Sequence, residues 1–421
     1  MKLLVYPAAL DGSFTPPASK SASHRAVIAA ALAQGESRIR SLAHNNDITA
    51  TVDALAALGA YINRQNEPAL VHGISPAAKQ AEIDCGESGS TLRFLLPVAA
   101  ALGVTATFHG KGRLPHRPID MLLKQLRKNG MTDDYAGTMP FTIGGRLRGG
   151  RYEIDGSVSS QYVTGLLLAL PLCEEDSLIV LRGRLESRPY VEMTLEMLRR
   201  FGISITETQT GYLIPGRQHY QPCDLTVEGD WSGAAFFLCA GAIGGRVTCK
   251  GLDPDSLQGD RKIAALLARF GAQVAHKNGA LTVSHAPLSP LTIDAADIPD
   301  LVPILAVTAA FAKGDTVIHG AQRLRIKESD RLLAVERLLT ALGGRVTQTE
   351  DGLIIHGGTR LLGGEIGSFG DHRIAMAAAV AALGCENPVT IHGAECVDKS
   401  YPAFFAQLTA LGGRYNELDM G

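Results

Sequence analysis

The sequence predicts an α/β protein of two domains, each built from three copies of one helix-and-strand unit. Three observations carry that prediction. A glycine ends an amphipathic helix six times at a nearly constant spacing, a helix without a polar face precedes each of these, and the pattern breaks near mid-chain. The glycines are Gly59, Gly130, Gly202, Gly271, Gly343 and Gly412, separated by roughly 70 residues, longer than the common solenoid repeats. They close stretches such as VDALAALGAYINR, LLKQLRKNGMTD, LEMLRRFGISITE and AVERLLTALGGRVTQTEDGLIIHG. Glycine fits the position just past a helix end, where the backbone takes positive φ. The residues after each glycine alternate between apolar and polar as a strand does, and KNGA in the fourth unit signals a hairpin.

Taken in order, the apolar helices are HRAVIAAALA, TLRFLLPVAAALG, YVTGLLLALPL, GAAFFLCAGAI, LVPILAVTAAFA and RIAMAAAVAALG. A helix apolar on all sides belongs in the interior. Each unit therefore holds one buried helix, one surface helix and about four strands. The segment IPGRQHYQPCDLTVEGD interrupts the pattern between the third and fourth units. It assigns residues 13–227 to an N-terminal domain and residues 228–421 to a C-terminal one. The opening strand MKLLVYP, within residues 1–12, is expected to complete the C-terminal domain. The chain then crosses between domains twice, near residues 13–20 and 225–230, which makes a hinge.

Composition narrows the function. A chain of 421 residues with 46% apolar, 19% charged and 5% aromatic residues is globular, with an aliphatic core. A net charge of −2 excludes the basic surface of a nucleic-acid binder, so any anion site must be a local cluster of Lys and Arg. The seven cysteines form no CxxC pair and no ligand spacing with His, and read as buried reduced thiols of a cytosolic protein. The start MKLLVYPAAL lacks the apolar core of a signal peptide, and no apolar run is long enough to span a membrane. A cytoplasmic protein with no nucleic-acid or membrane partner is expected.

The polar residues cluster where the buried helices begin: SKSASHR (19–25), CGESGSTLR (85–93), GSVSSQY (156–162), EGDWSG (228–233), DIPD (297–300) and FGDHR (369–373). Ser, Asp and Gly commonly cap helices. Capping does not explain Lys20, Arg25, Arg93 and Arg373, because a helix start already carries partial positive charge. Cations placed there imply an anionic partner, and six such starts facing one cleft would grip small phosphorylated anions. Further basic groups stand at equivalent places: Arg117 in PHRPID, Arg188 beside Ser187 and Tyr190 in LESRPY, RLRIKESDRLL at 323–333, and Lys399 in DKSYPAFF. The P-loop, GxGxxG, HExxH, zinc-ligand and GxSxG patterns are absent. A phosphate-handling enzyme without these patterns is not expected to transfer phosphoryl groups from a nucleotide, and chemistry at carbon with phosphate as leaving group needs no metal clamp on the phosphoryl oxygens.

These segments together closely resemble the family of 5-enolpyruvylshikimate-3-phosphate synthases. SKSASHR, GESGSTLR, the Arg-Pro pair at 117–118, DGSVSSQ, SRPY, IPD, KESDR, DHRIAM and KSYPAFF occur in the family's order over nearly the whole chain. The resemblance implies two inside-out α/β domains, each of three βαβαββ units, and no cofactor. It implies transfer of the enolpyruvyl group of phosphoenolpyruvate to the 5-hydroxyl of shikimate 3-phosphate, with release of phosphate, in a monomer whose domains close. Lys20, Gly89, Arg117, Gln161, Arg331, Arg373 and Lys399 would hold phosphoenolpyruvate. Lys20, Ser21, Arg25, Ser159, Ser160, Gln161, Ser187, Tyr190, Asp300, Arg323 and Lys327 would hold shikimate 3-phosphate. Asp300 would serve the 5-hydroxyl and Glu328 the carbon proton, with Lys20 and Lys399 assisting.

The chain departs from the family at Glu87 and Ser88, where many relatives have Asn and Ala, and at Arg323, where an Asn often contacts the ring. Glu87 either caps its helix, pairs with an arginine, or weakens anion affinity at Gly89, which bears on glyphosate sensitivity. The sole tryptophan, Trp231, reads as a packing residue. Three other function classes compete with this one. A UDP-N-acetylglucosamine enolpyruvyl transferase typically has a Cys before the Arg-Pro pair, and GKGRLPHRP has none. An RNA 3′-phosphate cyclase-like enzyme would use His372, without the basic excess expected of it. A non-catalytic anion binder would not need Asp300 and Glu328 among its cations.

Overall fold

The structure, a computed structural model, describes residues 1–418, so the last three residues of the expected C-terminal domain lie outside the described residues. Its α-helices alternate in character along the chain. They are α1 (Lys20–Leu32), α2 (Asn46–Ala57), α3 (Gly89–Leu102), α4 (Asp120–Lys128), α5 (Ser160–Ala169), α6 (Arg188–Arg200), α7 (Trp231–Gly244), α8 (Ile263–Phe270), α9 (Val302–Ala310), α10 (Arg331–Ala341), α11 (His372–Leu383) and α12 (Phe404–Ala410). The odd-numbered helices are the six apolar stretches. In α1 every residue from Ala26 to Ala31 is inaccessible to solvent, as a helix without a polar face requires. The even-numbered helices are one-sided: α4 buries Leu122, Leu123 and Leu126 and exposes Lys124, Arg127 and Lys128.

The six glycines that end the surface helices all have positive φ, from +77° at Gly202 to +114° at Gly59. Asn278 and Gly279 also have positive φ, 52° and 71°, so KNGA makes the two-residue hairpin turn its sequence signals.

Among the described residues, six four-stranded sheets share one topology. In the second unit Gln80–Asp84 runs parallel to Thr105–His109, with α3 as the crossover between them. After α4 come Met131–Asp133 and Phe141–Gly145, an antiparallel pair that joins the sheet through Phe141–Gly145. The order is βαβαββ, and each sheet covers a buried helix. Among the described residues no helix is long and apolar enough to cross a membrane.

The chain divides into two compact units, a continuous one of Lys20–Val227 and a composite one of Met1–Ser19 with Glu228–Gly421. The continuous unit lacks a strand before α1 and closes its first sheet with Leu225–Thr226, parallel to Glu36–Arg40. The composite unit draws two strands from the start of the chain. Lys2–Tyr6 lies inside the sixth sheet, antiparallel to both Val389–His392 and Arg414–Leu418. Asp11–Phe14 forms the edge of the fourth, parallel to Arg246–Lys250. The boundary expected at residue 13 is therefore displaced to Lys20. Residues 13 and 14 are still pairing in that edge strand, Ala18 bridges Gly229, and the Ser19 amide donates to the Glu228 carbonyl at 2.8 Å.

The cysteines are free thiols, buried except for the partly exposed Cys223. Trp231 is 1% exposed, and its indole N–H donates to the Asp253 carbonyl at 3.1 Å, which is a packing role with its polar edge satisfied.

Candidate active site

In the continuous unit the start of α3 is the centre of the arrangement. Ser88 caps the helix, its hydroxyl accepting from the Thr91 amide at 3.2 Å. Gly89 is next, and a Cβ there would lie 2.6 Å from a terminal nitrogen of Arg93 and 2.7 Å from one of Arg117. Only a residue without a side chain lets both guanidinium groups close over the first turn. Both arginines are largely buried, 4% and 8% exposed. Arg93 donates to Gln161 Oε1 at 2.9 Å and to the Pro118 carbonyl at 3.2 Å, and Gln161 Nε2 donates to Ser90 Oγ at 2.9 Å. These bonds tie α3, α5 and the Arg-Pro segment into one frame. Two forked cations over a helix N-terminus suit a planar carboxylate or a phosphate. Ser88, not Glu87, is the cap; the Glu87 carboxylate packs against the bare Cα of Gly112, where a Cβ would find no room.

At α1, Arg25 is 3% exposed. Its Nε donates to Thr194 Oγ1 at 2.8 Å, and its terminal nitrogens donate to the Ser21 carbonyl at 2.6 Å and the Tyr190 carbonyl at 2.8 Å. Burial pulls its guanidinium down to about 10, which leaves it charged at neutral pH. Lys20 pairs with Asp47 at 2.8 Å. Protein oxygens therefore face both of these cations at the start of α1. Ser159 caps α5 by accepting from the Gln161 amide at 3.3 Å, and Ser160 opens that helix, 6% exposed. Ser187 precedes α6 at φ 54°, with Tyr190 in the helix's first turn.

The composite unit gathers the other candidates around Arg331, which is 1% exposed. Its Nε lies 2.8 Å from Asp371 Oδ2, and its two terminal nitrogens lie 2.8 Å from Asp300 Oδ1 and 2.8 Å from Glu328 Oε2. Arg373 holds the other oxygen of Asp300 at 2.9 Å. Asp371 also caps α11, accepting from the Arg373 amide at 3.0 Å, and takes a hydrogen bond from Ser329 Oγ at 3.0 Å. Burial opposes ionisation of Asp300, but Arg373 and Arg331 outweigh it and hold the carboxyl well below the usual carboxylate range. The carboxylates facing Arg331 likewise hold its guanidinium well above its ordinary range, against the opposing effect of burial. Burial brings the Lys327 ammonium down to about 8, against the pull of Asp300 and Glu328. Arg323 donates to the Ala296 carbonyl at 3.0 Å and Lys399 to the Gly370 carbonyl at 2.7 Å. Within RLRIKESDRLL, Arg331 is thus turned into the protein, its fork facing three carboxylates.

Each unit therefore assembles its own set. Gly89, Arg117 and Gln161 meet in one, with Ser21, Arg25 and Tyr190 joined beside α1; Asp300, Glu328, Arg331 and Arg373 meet in the other. Sequence reasoning named Arg93 as misplaced without giving it a site role, and missed Asp47 and Asp371 as partners. Among the described residues no group of three or more His, Cys, Asp or Glu is arranged to hold a metal ion.

The whole chain has relatives of known kind. The family model for EPSP synthase (3-phosphoshikimate 1-carboxyvinyltransferase) matches residues 5–408. A 3-phosphoshikimate 1-carboxyvinyltransferase of Clostridium kluyveri is 44% identical over 99% of both chains, and one of Clostridium acetobutylicum 42% identical over 99% of both. The solved EPSP synthase of Acinetobacter baumannii superposes with a TM-score of 0.81 at 28% identity, covering 99% of this chain and all of that one. An enolpyruvyl transferase of Streptomyces tendae, at 19% identity, shares the fold with a TM-score of 0.79 over 99% of this chain and 98% of its own. With the motif order, the six repeated sheets and a family match over nearly the full length in agreement, the chain belongs to the EPSP synthase family of enolpyruvyl transferases.

Proposed function

We propose that the chain transfers the enolpyruvyl group of phosphoenolpyruvate to the 5-hydroxyl of shikimate 3-phosphate and releases phosphate. The observation that carries this reading is the pair Asp300 and Glu328, held on one buried guanidinium with a second cation, Arg373, on Asp300. The 5-hydroxyl oxygen adds to C2 of phosphoenolpyruvate while C3 gains a proton, giving a tetrahedral adduct. The C2–O bond to phosphate then breaks as C3 gives a proton back. Atoms balance with no oxidant, reductant or metal. Asp300, held ionised, orients the 5-hydroxyl and takes its proton as the oxygen bonds to C2, and that proton passes to the departing phosphate as the C2–O bond breaks. Glu328 delivers the proton to C3 and recovers it. The lysines Lys20 and Lys399 neutralise charge on the departing phosphate.

Binding divides by chemistry. The Arg93–Arg117 pair over Gly89, with Arg331 and Arg373, suits the carboxylate and phosphate of the donor. Ser21, Arg25, Ser159, Ser160, Gln161, Ser187 and Tyr190 of the continuous unit, and Arg323 and Lys327 of the composite one, suit the ring hydroxyls and single phosphate of the acceptor. The same reading takes the enzyme as a cytoplasmic monomer.

Phosphate release is the test. Turnover is expected with phosphoenolpyruvate and shikimate 3-phosphate together, and with neither alone. Release driven by UDP-N-acetylglucosamine in place of shikimate 3-phosphate would overturn the acceptor assignment. Glu328→Gln should lower kcat by about 100-fold or more with little change in KM, as expected for a lost general acid. Near-normal turnover would remove Glu328 from the mechanism.

A further inference from the structure

Asp260 has no part in that reaction, yet it lies in the same neighbourhood. It sits in the turn Gly259–Lys262 just before α8 and is 1% exposed. Its Oδ2 accepts a hydrogen bond from Ser232 Oγ in the first turn of α7, while its Oδ1 is buried without a hydrogen-bond partner. A buried carboxylate oxygen with no donor is costly, more so when other acids face it. Asp230, the cap of α7, and Asp300, in the turn before α9, both do so, and Arg373 of α11 is the opposing cation. Burial first, and then Asp300, push the Asp260 carboxyl up to about 7. The cations on its own turn are engaged elsewhere: Arg261 donates to the Pro254 carbonyl and Lys262 pairs with Asp297 at 3.5 Å.

We infer that Asp260 is a positioning residue that acts through Asp300 and Arg373 and sets how much of the Arg373 charge is left for a bound anion. Protonated, it leaves the guanidinium to the anion. Ionised, it competes for the same charge. An anion arriving at Arg373 adds negative charge near Asp260 and favours its neutral form. By linkage the neutral form favours the anion, so binding takes up a proton. Affinity is therefore greatest below about pH 7 and falls as pH rises through it.

The inference rests on phosphoenolpyruvate being the anion at Arg373, so the experiment keeps the two claims apart. Calorimetry of phosphoenolpyruvate binding to the full chain, with shikimate 3-phosphate present, is run from pH 6 to 9 in buffers of different ionisation enthalpy. The ligand's own ionisation is common to every variant and cancels in the comparison. The unaltered chain should lose about five- to tenfold more affinity across that range than Asp260→Asn does. It should also take up a fraction of a proton near pH 7 that Asp260→Asn does not. Ser232→Ala keeps the carboxyl but removes a donor that favours its ionised form, so the inflection should move to higher pH. Equal pH profiles and equal proton uptake in the unaltered chain and Asp260→Asn would overturn the inference. If Asp260→Asn does not fold, Ser232→Ala decides alone, and an inflection that stays put overturns it. No binding of phosphoenolpyruvate by the unaltered chain at any pH would instead overturn the proposed function.

Discussion

Arg331 shows why these sites resist conservative change. It engages Asp300, Glu328 and Asp371 with one planar fork, a pattern a lysine ammonium cannot reproduce. Gly89 matters for the opposite reason, since its value lies in what it lacks. Gly89→Ala would press a Cβ against the flexible ends of Arg93 and Arg117, so the fold should hold while the guanidinium groups move aside. Phosphoenolpyruvate affinity should fall about tenfold, or about 1.4 kcal/mol, with an unchanged unfolding midpoint. Lys327 gives a pH signature. It is charged below about pH 8 and loses that charge as pH rises through it, so shikimate 3-phosphate affinity should decline above pH 8. Lys327→Arg should abolish the decline. Its depressed value also costs the folded state stability below pH 8, and that cost should fade between pH 8 and 10.5. The candidate cations were legible because a cation at a helix start is anomalous by itself. Their protein partners were not: Asp47 lies 27 residues from Lys20, and Asp371 lies 40 from Arg331. Asp260 was missed because an acid near the start of a surface helix reads as an ordinary cap.

At the scale of elements, the buried helices approach one another where backbone groups are left bare. Pro97 inside α3 has no N–H to offer the Arg93 carbonyl four residues earlier. Gly165 of α5 packs against that carbonyl; a Cβ on Gly165 would sit 2.2 Å from the Arg93 oxygen and 3.0 Å from the Pro97 ring. Neither neighbour is a flexible side-chain end, so Gly165→Ala must separate the helices. It should destabilise the protein by about 1–3 kcal/mol in denaturant titrations. Because the displaced carbonyl belongs to Arg93, donor affinity should weaken as well. A variant of full stability would show that the helices already have room. The helix ends were legible because positive φ after a helix nearly demands glycine, as all six repeats confirm. The α3–α5 contact was not, since Gly165 within YVTGLLLALPL reads only as one more apolar helix position.

The repeat arithmetic anticipated six sheets because each unit carries its own strand pattern. It did not anticipate where two of them close, since Leu225–Thr226 and Asp11–Phe14 are too short and polar to announce a partner. That closure has a consequence for the whole chain. The continuous unit, Lys20–Val227, contains every strand of its three sheets, including the Leu225–Thr226 edge. The composite unit does not have this property over residues 228–421 alone. Without Lys2–Tyr6 its sixth sheet loses an interior strand, which leaves Val389–His392 and Arg414–Leu418 unpaired on the facing edges. Exposed edges of that kind template aggregation. A fragment of residues 20–227 should therefore express as a soluble protein with cooperative unfolding. A fragment of residues 228–421 should aggregate, and residues 1–19 joined to its C-terminus through a flexible linker should restore solubility. A fragment of 228–421 that unfolds cooperatively without residues 1–19 would show that the interior strand is dispensable. Since Asp300, Glu328 and Arg331 lie in one unit and Gly89, Arg93 and Arg117 in the other, neither fragment should release phosphate alone.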